Sequence, residues 1–199
     1  MILWRKNIPL DNSIHNQLVK ELKSETFYES SENLYTSYRK SNLFDQTGII
    51  GKYYDSLISE IMSDLSLKER SNYTMRWWAQ LYNSNTAGHN DHDHFTGYEC
   101  VSWVHFVNTP KQKCFYFIND KNEKFYIDHQ SSGDFIVFPS WAKHGAEKVI
   151  EDNFDRLIVA GNIGMQYIRN VEGKYNLVLQ PPKIAHQNLI VWKREPLVK

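Results

Sequence analysis

The chain has 199 residues, 41% of them hydrophobic, and carries 23 basic and 23 acidic residues, so its formal net charge is zero. This length suits one domain with a sizeable buried core. The lack of a basic excess argues against a protein that binds long nucleic acids through its overall charge, and the lack of an acidic excess argues against a disordered chain.

The cysteines and the amino terminus point to a reducing compartment. Cys100 and Cys114 are the only cysteines, and both lie in apolar strand-like stretches, which favours buried free thiols over a disulfide framework. The chain begins Met-Ile-Leu-Trp-Arg-Lys-Asn, and this apolar run is too short, and too soon followed by charged residues, to form a signal peptide. No apolar run approaches the ~20 residues that a membrane helix needs. We therefore expect a cytoplasmic protein with no membrane contact.

Two helices are predicted in the first third of the chain. Ile14, Leu18 and Leu22 recur at four-residue spacing behind segment 11–13, which can cap a helix. A second stretch, from about 49 to 67, also carries apolar residues at helical spacing. The polar segment 24–47 between them has no clear period and is predicted to be a loop.

From residue 73 onward the pattern changes to short apolar strands separated by turns that contain Gly, Pro or Asn. The predicted strands are 74–82, 100–107, 114–118, 124–127, 134–138, 146–150 and 156–161, and segment 171–179 can add a hairpin. Many short strands at close spacing are typical of a jelly roll. We therefore predict a mainly β single domain, 1–199, with a helical support (1–72), a jelly-roll core (73–180) and a carboxy-terminal appendage (181–199).

A histidine-rich run at residues 88–97, between two predicted strands, is the first candidate for a functional site. It contains His92-x-His94, and an i, i+2 spacing points both side chains of an extended segment to the same side. Neutral imidazoles bind first-row divalent metals. The same run also contains His89 and Asp91, a competing pair that the pattern alone does not exclude.

Two later residues complete the candidate site. His144 follows a strand that Pro139 ends, and Arg156 opens the next strand. If these strands formed a simple hairpin, Arg156 would lie ~20 Å from His144, too far to share a small ligand. On opposing sheets of a jelly roll, the guanidinium can face the metal and bind the carboxylate of a ligand. The alternative is an edge-strand arginine paired with Asp152 or Asp155.

The order of these residues is similar to a known family. The segments His92-x-His94-x-x-Gly, Val101-x-x-Val104, Gly133-x4-Phe138-Pro139-Ser140-Trp-x-x-His144 and Arg156-x5-Asn162-Ile163 resemble the iron- and 2-oxoglutarate-dependent dioxygenases. The match is to the prolyl-hydroxylase-like branch, particularly the small forms found in viruses of bacteria, and it covers roughly residues 74–164.

The resemblance implies a double-stranded β-helix, a cupin-like barrel, that holds Fe(II) and uses 2-oxoglutarate as cosubstrate with O2. It implies that His92, His94 and His144 bind the metal and that Arg156 binds the far carboxylate of 2-oxoglutarate. The reaction would hydroxylate an aliphatic C–H of a protein side chain, a nucleobase or a metabolite.

The sequence departs from the family at two positions. The family usually has His-x-Asp or His-x-Glu where this chain has His92-x-His94, and the pair of His89 and Asp91 would restore the carboxylate. The family's arginine is often followed two residues later by Ser, and here that residue is Ile158. Tyr82 and Gln80, on the strand that enters the histidine run, are the candidates for a substitute contact to the cosubstrate.

Two other functions fit parts of the same pattern. A cupin would use Glu99 as a fourth ligand and would not need Arg156, although Trp141 stands where the cupin motif has glycine. A non-catalytic jelly-roll module would bind a sugar or a protein and hold no metal. Four tryptophans can either line the cavity or fill the core: Trp77, Trp78, Trp103 and Trp141.

Overall fold

The computed structural model describes residues 2–40, 48–65, 71–94, 99–171 and 174–178, and for 71–74, 100, 165–171 and 174–178 it describes the backbone alone. The strands are β1 (Trp4–Asn7), β2 (Tyr28–Glu29), β3 (Leu34–Thr36), β4 (Ser71–Tyr82), β5 (His89–His92), β6 (Glu99–Asn108), β7 (Phe115–Ile118), β8 (Lys124–Tyr126), β9 (Asp134–Pro139), β10 (His144–Ala146), β11 (Arg156–Val171) and β12 (Lys174–Val178). The helices are α1 (Asn12–Leu22) and α2 (Ile49–Asp64).

Both predicted helices are confirmed. The helix α1 begins after Asp11, whose carboxylate accepts the backbone N–H of Ser13 at 2.8 Å and so satisfies one of the free donors of the first turn. Its buried residues are the three that the periodicity selected: Ile14, Leu18 and Leu22. None of the helices in the described part of the chain is long and apolar enough to cross a membrane.

The strands form two antiparallel sheets. The large sheet has the order β1-β9-β6-β11-β4-β3-β2, with β12 paired to β11, and the small sheet has the order β5-β10-β7-β8. From β4 to β11 the chain passes back and forth between the sheets, since β4, β6, β9 and β11 belong to the large sheet and the others to the small one. This alternation builds a double-stranded β-helix, so the predicted jelly roll is confirmed.

The large sheet separates two cores, because successive side chains of a strand point to opposite faces. On the outer face, Trp77, Leu81 and Trp103 pack against the helices through residues such as Tyr54 and Ile58. On the inner face, a second core fills the space between the sheets with aromatic side chains from both, including Trp78, Phe106, Phe115 and Phe138. The candidate site lies on this inner face.

The structure corrects the sequence prediction at several strands. The segment predicted as loop contains β2 and β3, which extend the large sheet beyond β4, while its residues 41–47 lie outside the described part of the chain. The strand β5 was not predicted at all, because its four residues are polar and only half-buried or exposed. The strand predicted at 146–150 is β10, at 144–146, and β11 extends beyond the predicted 161 to 171, where it forms the predicted hairpin with β12.

The proposed division of the domain stays a prediction. Residues 1–72 contribute helices, but they also contribute β1, β2 and β3 to the large sheet. The appendage predicted at 181–199 lies outside the described residues.

Candidate metal centre

Strand pairing in the small sheet brings the predicted histidines together. In the antiparallel pair of β5 and β10, His92 lies opposite His144. His94 follows two residues later, and its backbone N–H donates to the carbonyl of Ser140 at 2.9 Å, which holds it beside the segment that leads into β10. One ring nitrogen from each of His92, His94 and His144 lies within 4.8 Å of the others.

Main-chain carbonyls fix the tautomers of two of these histidines. The Nδ1 atom of His92 lies 2.9 Å from the carbonyl oxygen of Asn90, and that of His144 lies 2.8 Å from the carbonyl oxygen of Ala142. A carbonyl oxygen can only accept, so Nδ1 carries the proton in both rings. The lone pair of a neutral ring is then on Nε2, where it is free to bind a metal.

Burial keeps the imidazoles of His94 and His144 neutral. Desolvation, reinforced by the neighbouring His92 and His89, lowers the pKa of His94 to about 3. Desolvation also places the pKa of His144 well below its usual value, with His92 adding to the effect. Neutral imidazole is the form that binds metals, so His94 and His144 have the donor state that a cation needs at neutral pH.

The competing pair, His89 and Asp91, is not part of the cluster. The ring of His89 stacks on that of His92 with centroids 4.5 Å apart, so His89 is a neighbour of the cluster. Asp91 instead accepts the hydroxyl of Tyr116 at 2.7 Å. Tyr116 and Asp91 meet over Gly145. A Cβ atom on Gly145 would lie 2.6 Å from the hydroxyl oxygen of Tyr116 and 2.8 Å from Oδ1 of Asp91. The structure therefore brings His94, and not Asp91, to the other two histidines.

Arg156 lies on the opposite sheet and lines the same cavity as the three histidines. The simple hairpin considered from the sequence is therefore excluded. The arginine is only 2% exposed, and its guanidinium carbon lies 5.0 Å above the ring of Tyr82. No carboxylate of the described residues lies within 4.0 Å of it, and Asp155 pairs with Lys23 instead. The alternative predicted from the sequence, an edge-strand arginine paired with Asp152 or Asp155, is wrong, because β11 lies between β6 and β4.

Gln80 and Tyr82 lie beside Arg156 on the neighbouring strand. The register of β4 and β11 pairs Tyr82 with Arg156 and Gln80 with Ile158. Burial raises the pKa of Tyr82, so its hydroxyl keeps its proton, which it donates to Oε1 of Gln80 at 2.8 Å. Both residues line the cavity, and the amide nitrogen of Gln80 has no hydrogen-bond partner among the described residues.

An outer cleft of about 440 Å³ leads from the surface to the histidines. Tyr38 and Trp78 form one wall of the cleft, and their rings meet edge to face with centroids 4.9 Å apart. The ring of Trp78 lies 6.0 Å from that of His94, so this aromatic wall reaches the cluster. Trp77 instead packs in the helix-facing core, and Trp141 packs against the core between the sheets.

Glu99, the fourth ligand of the cupin alternative, is not in the histidine cluster. Sequence reasoning gave no role to Ser102 and Asn162, two buried polar residues of the inner face that hydrogen-bond to each other. The signal for Asn162 was available, since it lies at an even spacing from Arg156 on one strand. Ser102 is brought beside it by the register of β6, which the sequence does not reveal.

No model of a known protein family matches the chain, and no curated protein sequence matches it. Solved structures do match. A prolyl-4-hydroxylase from Pseudomonas putida superposes with a TM-score of 0.57 at 12% identity, over 81% of this chain and 91% of that one. A prolyl hydroxylase from Trichoplax adhaerens, in complex with a peptide fragment, also gives 0.57, at 16% identity over 81% and 82%.

An α-ketoglutarate-dependent non-haem epimerase of nogalamycin biosynthesis gives a TM-score of 0.55 at 12% identity, over 82% of this chain and 79% of that one. At such identities the likeness concerns the fold and not the reaction. The motifs of the sequence predicted this architecture. The chain has the double-stranded β-helix fold of the 2-oxoglutarate-dependent iron oxygenases.

Proposed function

We propose that this protein is an Fe(II)- and 2-oxoglutarate-dependent oxygenase that hydroxylates an aliphatic C–H bond. One observation carries the proposal. A single cavity joins the three imidazoles of His92, His94 and His144, at the small sheet, to a buried guanidinium on the large sheet. A buried charge without a partner is costly to the fold, and a dianionic cosubstrate that also binds the metal would supply that partner.

The three histidines suit a metal with open positions. His92, His94 and His144 provide three nitrogen donors, and fewer ligands than the metal accepts leave room for a cosubstrate and O2. Imidazole alone suits Fe, Zn, Cu and Ni, so the donors do not select the metal. The anion site at Arg156 favours iron, because it suits the dicarboxylate that these iron oxygenases consume.

Arg156 and Gln80 are the proposed contacts for the far carboxylate of 2-oxoglutarate. A guanidinium binds a carboxylate through two parallel hydrogen bonds. The hydroxyl of Tyr82 is already donated to Gln80, which leaves the amide N–H groups of Gln80 as the second donor. Since Gln80 lies opposite Ile158, it can supply the contact that the family's serine would make from position 158.

The remaining cavity residues control access. When bound, iron and 2-oxoglutarate supply the activation of O2 that an unreactive C–H requires. Phe115, Phe138 and Ile158 line the cavity with apolar surface, which excludes water from the reacting groups. The outer cleft, at about 440 Å³, has room for a protein side chain, a nucleobase or a small metabolite.

The test is anaerobic addition of Fe(II) and 2-oxoglutarate to the purified protein, followed by visible absorption. We expect the metal-to-ligand charge-transfer band of a chelated 2-oxo acid, and its loss in His144→Ala and Arg156→Ala. His129→Ala and Arg5→Ala, which remove the same groups outside the cavity, should keep the band.

The alternatives give different results in the same experiment. A protein that holds iron but gives no band with 2-oxoglutarate contradicts the proposal. Loss of iron in Glu99→Ala would favour a cupin site. A protein that binds no transition metal at all would favour a non-catalytic module.

A further inference from the structure

The strand β5 carries His92 and leads to His94, but its own pairing holds it weakly. It is the edge strand of the small sheet, with β10 as its neighbour. The register between the two strands shifts between the pairs His92–His144 and His89–Ala146, so the ladder is irregular beside the cluster. The residues of β5 are polar and half-buried or exposed, so burial of apolar surface adds little. The position of His92 therefore depends on some further contact.

A side-chain hydrogen bond supplies such a contact across the neighbouring strand. The hydroxyl of Tyr116, on β7, donates to Oδ1 of Asp91, on β5, at 2.7 Å. The strand β10 lies between these two strands, and its Gly145 is paired with Tyr116. The bond therefore passes over Gly145 and links the edge strand to the third strand of the sheet. Glycine is needed at this position, because the Cβ atom of any other residue would push the two partners apart.

The two partners of this bond differ in how firmly they are held. Tyr116 is only 4% exposed, and Nζ of Lys124 lies 4.4 Å from the centre of its ring. Asp91 is exposed on the edge strand. The buried tyrosine is thus the fixed partner, and the hydrogen bond holds the carboxylate, and with it β5, against the sheet.

The position of Asp91 bears directly on the metal cluster, because it is the residue between Asn90 and His92. The carbonyl oxygen of Asn90 accepts from Nδ1 of His92 at 2.9 Å. A displacement of Asp91 would therefore move both the ring of His92 and the acceptor that orients this ring. Residues that hold metal ligands from behind typically change the affinity for the metal by about 10- to 100-fold.

We propose that Asp91 and Tyr116 are positioning residues of the metal centre, which hold β5 so that His92 and His94 meet His144. The inference rests on the proposed function, since it requires a metal at this cluster. Successive side chains of a strand point to opposite faces, so Asp91 lies on the face of β5 that His92 does not use. Its carboxylate thus acts on the metal through the strand and not as a ligand.

Tyr116→Phe is the decisive variant, because it removes the hydrogen bond and keeps both the aromatic ring and the negative charge of Asp91. We would titrate Fe(II) anaerobically into the metal-free protein and record the visible spectrum of bound Co(II), whose bands report the arrangement of its ligands. The variant should bind Fe(II) about tenfold more weakly, and its Co(II) bands should shift. Gly145→Ala, which separates the same two partners, should cause a similar loss.

Tyr126→Phe is the matched control. Tyr126 is paired with Tyr116 in the small sheet, and its hydroxyl donates to a carboxylate, that of Glu147, at 2.9 Å. Glu147 lies outside β5 and also pairs with Lys124. This variant should therefore keep the Fe(II) affinity and the Co(II) bands of the native protein. Melting curves of the metal-free variants show whether each is folded and how far each is destabilised.

Unchanged Fe(II) affinity in Tyr116→Phe overturns the inference. Tighter binding also overturns it, because the freed carboxylate of Asp91 would then be a ligand, and so does an equal loss of affinity in Tyr126→Phe. If Tyr116→Phe does not fold, Asp91→Ala decides, since it changes an exposed side chain, and its unchanged affinity overturns the inference. A native protein that binds neither Fe(II) nor Co(II) contradicts the proposed function itself, which is a distinguishable result.

Discussion

Each face of the large sheet buries a histidine among aromatic rings, but the two histidines differ in their partners. On the helix-facing side, His105 is fully bonded, since its Nε2 donates to the carbonyl of Ile8 at 2.9 Å and its Nδ1 accepts the hydroxyl of Tyr54 at 3.0 Å. On the inner side, His144 donates one ring nitrogen to a carbonyl and turns toward two other histidines. A polar group that the protein satisfies itself supports the fold, whereas one left for a ligand marks the site.

Replacing each of these two histidines with alanine is the strongest test of this comparison. His144→Ala should weaken Fe(II) binding by at least ~100-fold, because it removes one of the three proposed metal ligands, and should change the stability of the metal-free protein little. His105→Ala should keep the metal but lower the free energy of unfolding by about 3 kcal/mol, since it leaves a cavity and two buried groups unpaired. Metal titration and urea unfolding of both variants measure the two effects. If the two variants changed the Fe(II) affinity equally and also changed the free energy of unfolding equally, the distinction between the two faces would be contradicted.

The second prediction uses the pKa of His105, which burial lowers from 6.5 to about 4. Because the unfolded chain takes up the proton first, stability is lost as the pH falls from about 6.5 and the loss ends near pH 4. The full effect is about 3 kcal/mol. Urea unfolding of the native protein and His105→Gln across this range should show a weaker pH dependence in the variant. Parallel curves would mean that His105 titrates normally in the folded protein.

The third prediction concerns how much the buried Arg156 lowers the stability of the metal-free protein. Arg156→Met replaces a buried guanidinium, which has no carboxylate partner among the described residues, with an apolar side chain of similar length. We expect the metal-free protein to gain about 1–3 kcal/mol in its free energy of unfolding while binding of 2-oxoglutarate is lost. Thermal melting without ligand measures the gain. A loss of stability would show that the arginine has a structural partner.

Sequence reasoning predicted the parts of the molecule that depend on local pattern. The four-residue spacing of Ile14, Leu18 and Leu22 predicted the first helix. The positions of His92, His94 and His144 in the chain predicted that their side chains lie close together, as they do in the structure. The strand β5 could not be predicted, because pairing with β10 and not hydrophobic alternation makes it a strand.

The details of the site depend on register, which the sequence does not specify. Gln80 lies opposite Ile158, and Ser102 lies beside Asn162, because of how β4 and β6 align with β11. Asp91 could not be separated from His94 by pattern, since its partner Tyr116 is 25 residues away on another strand.

The acceptors that orient His92 and His144 are main-chain atoms. The carbonyl of Asn90 holds His92 and also lies 3.2 Å from Nδ1 of His89, and the carbonyl of Ala142 holds His144. Many metal sites use an aspartate or glutamate for this purpose, which a substitution can remove. Here the side chains at 90 and 142 can vary without altering which ring nitrogen carries the proton. The chemical state of the centre is therefore encoded in the path of the backbone, and a search for orienting carboxylates in the sequence would overlook it.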